Sequence, residues 1–547
     1  MRHPTCGCAL ELLLLIALAP LTASGTPDTW AQELLAEARS PELQQYMVAV
    51  RRQLHREPEL GFQEHVSSGL VQQQLEELGI PFFTLAGTGI SALIGDGSPP
   101  LIALRADLDA LPLNEPQHLA AGQQGFSSLN PGRMHACGHD AHSAMLLGAA
   151  RLLASRRSRP GGCGANSSSW GGAAGGSVGV APPAGVAQGG AEGAATGCQP
   201  DPSGGWLSGL QGSVVLVWQP AEEGGGGGRQ VVEAGGLRGA TAAAALHVWP
   251  GLTRGRLGSR RGVIMAASDR FAFKVQGQGG HAAMPHLAVD PVVAAAAVVL
   301  ALQPVVSRET APTDGAVISV SRLNTGPGAA NVIPDSVELQ GTIRALSLAT
   351  FERLRRRVAE VANLTAATYG CSITDLQWSA TPYPPTVNDA GMADLALAVA
   401  ASLGAASRAM GDAQEWGDVG AEDLAEPSMA AEDFAFYAAK VPSVMTWLGI
   451  GDAALGTDVS LHNPHFQMDE SQLALGSAWH ATLALAYLQQ HQHLAPGLQP
   501  EGRSGPQLQP GLAVDTLVAS QQRAGHADLS SRPIPQAISP LQQHDDL

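Results

Sequence analysis

Charge is what this sequence is short of. Only 14% of its 547 residues are Asp, Glu, Lys or Arg, and lysine occurs just twice, at Lys274 and Lys440. The balance is a net charge of −17, which argues against nucleic acid as a partner because phosphate binding needs a basic face. Cysteine is also scarce. There are six, and Cys6 and Cys8 lie at the extreme N-terminus, so no disulfide framework is present. Long hydrophobic runs are missing too. The run from Ala9 to Pro20 falls short of the roughly 20 apolar residues that a spanning helix needs, and no membrane span is expected.

What is abundant is apolar and small. Hydrophobic residues make up 45% of the chain, enough for two or more domains with a large core. The 65 Gly and 37 Pro are too many for uniform packing and point to unstructured segments. One such segment, residues 155–211, is dominated by Gly, Ala, Ser and Pro and reads as a disordered surface insertion. It carries Cys163 and Cys198, which could pair or remain two free thiols. A second, residues 493–547, reads as a disordered tail.

The ends carry address signals. Arg2 and His3 precede the Ala9–Pro20 run, and Ala23, Ser24 and Gly25 follow it, the layout of a secretory signal peptide over residues 1–25. The chain ends His544-Asp545-Asp546-Leu547, an HDEL-like retrieval signal with Asp in place of Glu. Together they predict the lumen of the endoplasmic reticulum. Asn166 and Asn363 begin glycosylation sequons that would matter only on that route.

Between the ends, short β-like runs at 101–104, 214–218 and 242–246 alternate with helical stretches such as 143–153. That alternation predicts an α/β catalytic domain with a mostly parallel central sheet, in two parts over residues 30–261 and 377–492. From 262 to 376 the pattern changes to alternating strands (271–275, 316–320, 336–343) and two apolar helices (291–302 and 351–368), which predicts a smaller inserted α+β domain.

Chemistry-bearing residues gather after the predicted strands, where open α/β sheets hold their sites. Asp107 and Asp109 follow the first. Cys137, His139 and His142 stand further on, Glu222 and Glu223 follow the second strand, and His247 follows the third. A late pair, His462 and His465, adds a fourth cluster. Thiolate, imidazole and carboxylate are transition-metal ligands, and adjacent Glu222 and Glu223 allow one to bind metal while the other acts as general base. Singly, each cluster is as well explained by a core histidine or a solvated turn. Their coincidence favours a metal site.

These residues sit in blocks that resemble a known family. CGHDAHSAMLLGAA (137–150), QPAEEG (219–224), ALHVWPG (245–251), GQGGHAAMPH (277–286), NVIPD (331–335), GTIR (341–344), AEDFAFY (431–437) and LHNPH (461–465) occur in this order. They are similar to the aminoacylase/carboxypeptidase dinuclear metallopeptidases, above all to the amidohydrolase branch with the plant indole-3-acetic acid (IAA)–amino acid hydrolases and the hippurate hydrolases. The resemblance covers about Tyr46 to Gln489 apart from the glycine-rich insertion.

The resemblance implies a zinc-exopeptidase-like catalytic domain, a lid that also dimerises, and two divalent metal ions, manganese preferred over zinc. It implies Cys137, His139, Glu223, His247 and His462 as ligands and Glu222 as general base. His281 on the lid would stabilise the oxyanion, in its own or a neighbouring subunit's site. Asn331 and Arg344 would bind the substrate carboxylate, and Asp109 would orient a ligand. Arg344 could equally be a surface strand arginine, and His465 competes with His462. The implied reaction is hydrolysis of N-acyl amino acids, with IAA conjugates first and a general deacylase, hippurate hydrolase or dipeptidase second. A protein that binds conjugates without cleaving them would have no use for Glu222.

Overall fold

Leu101–Asp107 and Ser213–Gln219 are buried at every position, the pattern of strands covered on both faces. The computed structural model describes residues 27–116, 126–156, 210–411 and 413–492. In it these strands lie in an eight-stranded sheet, in the order Phe82–Leu85, Gly89–Ile94, Ser213–Gln219, Leu101–Asp107, Ala242–Thr253, Ser443–Gly451, Arg256–Ser259 and Gly420–Asp423. The central pairs are parallel. Antiparallel pairing is confined to the Phe82–Ile94 side and to the contact of Ser443–Gly451 with Arg256–Ser259.

Among the described residues, one face of the sheet is covered by helices His65–Glu77, His139–Ala154, Ala390–Met410 and Gln472–His491, with Pro27–Ala38 and Pro41–Arg56 packed on these helices. Together they close a single large core. His139–Ala154 and Gln472–His491 meet at glycines. A Cβ on Gly148 would collide with Ser477 and Met47, and one on Gly476 with Met145. Among the described residues, Ala390–Met410 is the one helix long and apolar enough to cross a membrane, and it packs here on Pro27–Ala38 and the sheet.

The inserted unit has its own sheet and core. Ala316–Asn324, Ser336–Ala345, Ala267–Gln276 and Ser372–Trp378 pair antiparallel in that order. Ser336–Ala345 alternates buried and half-buried positions, and its inner face packs with Phe271, Phe273, Val298, Leu302, Leu354 and Val358. Helix Pro291–Ser307 is started by the Asp290 side chain, which accepts from Val292 N–H, and helix Leu348–Thr368 by Ser347. The chain enters this unit through Gly262–Met265 and leaves through Thr386–Asn388, which pair with each other.

The expected signal peptide, the terminal tail, nearly all of the insertion, Cys163, Cys198 and Asn166 lie outside the described residues. Asn363 is exposed on helix Leu348–Thr368.

Candidate dinuclear metal centre

The parallel strands bring their carboxyl ends to one edge of the sheet, and five chain segments meet there. Leu101–Asp107 ends in Asp107, with Asp109 two residues on. Cys137 precedes Gly138, which caps helix His139–Ala154 at φ 88°; a Cβ there would strike Val248. That left-handed glycine lets Cys137 and His139 face the same space although His139 already belongs to the helix. Glu222 and Glu223 follow Ala221, a non-glycine residue at φ 50°. His462 stands at φ 60°, with its N–H donating to Ala136 O at 2.9 Å. Left-handed non-glycine residues of this kind gather at functional sites, where the surroundings hold them.

His247 corrects one expectation. It does not follow its strand but lies within it, because Ala242–Thr253 runs on past the expected end at Leu246. The extension is paired along Ser443–Gly451, with His247 opposite Trp447. The side chain still reaches the centre, since alternation along the strand aims it there.

The six expected residues at the core of the site are brought together. Cys137 Sγ lies 3.4 Å from His247 Nε2 and 3.3 Å from His462 Nε2. Glu223 Oε1 is 3.2 Å from His462 Nε2 and 3.9 Å from His139 Nε2. Glu222 Oε2 is 4.0 Å from His139 Nε2. Five groups of candidate ligands lie close enough to hold an ion among the described residues, and two of them, Cys137–His139–His247 and Cys137–Glu223–His462, have the Cys137 thiol in common. A shared thiolate between two three-residue sets is a layout for two ions.

The remaining ring nitrogens show which histidines are available. His139 Nδ1 donates to Asp109 O at 2.8 Å and His247 Nδ1 to Val248 O at 2.7 Å, leaving each Nε2 lone pair for a metal. His142 is spent: Nδ1 is 2.6 Å from Asp107 Oδ1, and Nε2 accepts from Val248 N–H at 3.0 Å. Asp109 acts on the two glutamates as well. Its two carboxylate oxygens accept from the N–H groups of Glu222 and Glu223, each at 2.9 Å.

The residues fit cations. His139 Nε2 is buried without a hydrogen-bond partner, 3.9 Å from Glu223 Oε1, an arrangement that costs free energy unless something binds between them. Burial pushes the Cys137 thiol far up, reinforced by Glu223 and Glu222, and it drives His247 well below its usual value. His139 goes the other way: burial alone would lower it, but Asp107 and Asp109 lift it to about 10. Glu223 is likewise subject to a burial penalty that His462 and His139 outweigh, so it stays ionised. The negative charge that lifts His139 is charge that bound divalent metals would neutralise in place of its proton.

Behind the ligands lies a layer that sequence reasoning did not assign. Arg105, 1% exposed, donates to Gln219 Oε1 at 3.1 Å, Asp107 Oδ2 at 2.7 Å, Glu432 Oε1 at 3.0 Å and Asp433 Oδ1 at 3.1 Å. Asp433 N–H in turn donates to Glu222 Oε1 at 3.4 Å, so the other oxygen, Oε2, is the one facing the ligands. Burial, then Glu432, Glu223 and Asp433, raise the Glu222 carboxyl well above the usual range.

The other expected site residues stand apart. His281 is exposed on the inserted unit, where its Nδ1 accepts from Ala283 N–H at 3.1 Å and its backbone pairs with Val332. Asn331 is exposed beside it, its carbonyl accepting from Ala282 N–H at 3.0 Å. Arg344 donates to Met429 O at 3.2 Å, at the contact between the two units, and burial lowers its pKa, aided by Arg270. His465 belongs to neither ligand set.

Fold and centre together define a metal-dependent hydrolase with a dinuclear site. The chain belongs to peptidase family M20/M25/M40, whose model matches residues 103–162 and 207–486. It is 35% identical over 485 residues to the Arabidopsis thaliana IAA-amino acid hydrolase ILR1-like 4, covering 87% of this chain and 94% of that relative. It is 34% identical over 450 residues to the Bacillus subtilis N-acetylcysteine deacetylase, covering 81% and 97%. A solved structure from methicillin resistant Staphylococcus aureus superposes with TM-score 0.64 at 29% identity, over 84% of this chain and 100% of that one. The Bacillus subtilis YXEP protein, a dinuclear metal binding peptidase, gives 0.59 at 30% identity over 82% and 99%.

Proposed function

We propose that the protein hydrolyses the amide bond of N-acyl amino acids, with IAA–amino acid conjugates as the preferred class, releasing free acid and amino acid. The observation that carries this reading is the shared Cys137 thiol between two ligand sets with the Glu222 carboxylate turned toward both. The similarity to the plant hydrolases and the bacterial deacetylase supports it. Cys137, His139, Glu223, His247 and His462 would hold the two ions, whose chemistry is to acidify a water and polarise the amide carbonyl. Manganese is preferred, with zinc the alternative that a thiolate and imidazoles also suit.

This chain's own residues do the rest. Glu222 Oε2 takes the proton of the attacking water and returns it to the departing amino group. Its raised proton affinity suits the second task, and cationic charge at the neighbouring ligands keeps it available for the first. Asp109 holds the backbone of both glutamates. His281 and Asn331 would reach a site by way of a homodimer of the inserted units, with Arg344 completing the substrate carboxylate pocket. Exposed Leu287, Val293, Leu300, Leu323 and Val332 on that unit support such a contact. The signal-like N-terminus and His-Asp-Asp-Leu ending support residence in the endoplasmic reticulum lumen.

The test is amino acid release from IAA–amino acids, N-acetylcysteine and hippurate, with manganese or zinc, by the wild type and Glu222→Gln. The variant is expected to lose about 10²–10⁴-fold in rate while binding both ions. A best rate on acetyl or benzoyl substrates would favour the general deacylase. Mixing His281→Ala with Glu222→Gln restores turnover if His281 serves a neighbouring subunit.

A further inference from the structure

The two passages between the catalytic and inserted units run side by side, and one side chain on them reaches the turn that carries Glu222. Ser268 and Tyr383 exchange both backbone hydrogen bonds, at 3.0 and 2.9 Å. The Tyr383 hydroxyl then donates to Glu222 O at 2.6 Å and accepts from Gly226 N–H at 3.0 Å. A single hydroxyl thereby closes both ends of the Glu222–Gly226 turn. The Tyr383 ring is 3% exposed and meets Phe436 edge-on at 6.0 Å, just beyond Glu432 and Asp433.

Two further observations make this a fixed joint. Thr381 occupies the space that a Cβ on Gly226 would need, so the turn lies directly against the returning passage. Asp269, buried beside Ser268, accepts from the N–H groups of Arg270 and Ser379 at 2.8 and 3.0 Å and pairs with Arg355 at 3.0 Å. Arg355 belongs to helix Leu348–Thr368, so the passage is clamped to the inserted unit at one end and to the catalytic turn at the other. Removing the hydroxyl would leave Gly226 N–H buried without a partner, and the turn would have to move to satisfy it.

We propose that Tyr383 is a positioning residue, whose hydroxyl fixes the Glu222–Gly226 turn, and with it the Glu222 carboxylate, against the connection to the inserted unit. This rests on the reading of Glu222 as general base. Tyr383→Phe tests it by amide hydrogen exchange and steady-state kinetics on the full chain. Exchange in the peptide holding Glu222–Gly226 should quicken about tenfold, with the rest of the chain unchanged and the melting midpoint within about 2 °C. The kcat should fall about tenfold with KM within about twofold, because a base is misplaced while substrate contacts stay. Gly226→Ala, which strains the same turn through its left-handed backbone at φ 68° and through collision with Thr381 while the hydroxyl stays intact, should give the same pattern. Unchanged exchange at the turn, unchanged kcat, or exchange that rises throughout the molecule in both variants would each overturn the proposal. A wild type that cleaves no substrate would refute the assigned reaction instead, and the exchange data would still decide the role of Tyr383.

Discussion

His480 is a buried ring on helix Gln472–His491, and its Nδ1 has no hydrogen-bond partner. Burial, with His142 nearby, pushes its pKa from 6.5 down to about 3. Above pH 6.5 the ring is neutral folded or unfolded, so its protonation does not affect stability. Below it the unfolded chain takes up a proton that the folded protein refuses, so stability is lost as pH falls from 6.5 toward 3. The loss approaches about 1.4 kcal/mol per pH unit for one such ring. Urea unfolding of His480→Leu against wild type at pH 7, 6 and 5 should show the variant with the shallower acid decline. Asp109 offers a second test at the same scale. Because its carboxylate holds the N–H groups of Glu222 and Glu223 without joining either ligand set, Asp109→Asn, which can accept through one oxygen only, should weaken metal binding about 10–100-fold by calorimetric titration, with the fold intact.

Among the elements, helices His139–Ala154 and Gln472–His491 meet where glycines leave no room for a Cβ. Gly148→Ala must displace both Ser477 and Met47, which should cost about 1–3 kcal/mol in urea unfolding. The apolar stretches 143–153 of helix His139–Ala154 and 101–104 and 214–218 of two strands were legible in the sequence. The same elements run on through buried polar residues such as Arg105, Asp107, Gln219 and His139, which broke the apolar pattern. Six residues of the centre were named from the family resemblance of their sequence blocks, since their chemistry alone left a core histidine or a solvated turn equally open, and the fold brings them together. Ser443–Gly451 was not recognised, nor was the Phe82–Ile94 hairpin, since short apolar segments do not reveal their period. The Arg105 layer escaped because its members come from positions 105, 219 and 432–433, a proximity that only the folded sheet creates. The AEDF block was the available signal, two acids set into an apolar stretch.

At the scale of the molecule, the catalytic unit is assembled from two lengths of chain on either side of the insertion. Strand Ser443–Gly451 arrives last of the eight and takes an interior place, between Ala242–Thr253 and Arg256–Ser259. The second ligand set waits on the same late stretch, since His462 completes it. A chain ended before residue 443 therefore lacks both an interior strand and a ligand. Such a truncation should bind fewer than two ions by elemental analysis and show no cooperative melting of the catalytic unit, whereas the inserted unit has its own core and should still melt.

Synthesis proceeds from the N-terminus, so a growing chain holds an open slot in its sheet while the whole inserted unit is made. Through that interval Ala242–Thr253 presents an unpaired apolar edge, a template for the wrong partner. The order in which the strands are written thus sets a period of vulnerability during biosynthesis, and it ends only when nearly the last of the fold emerges.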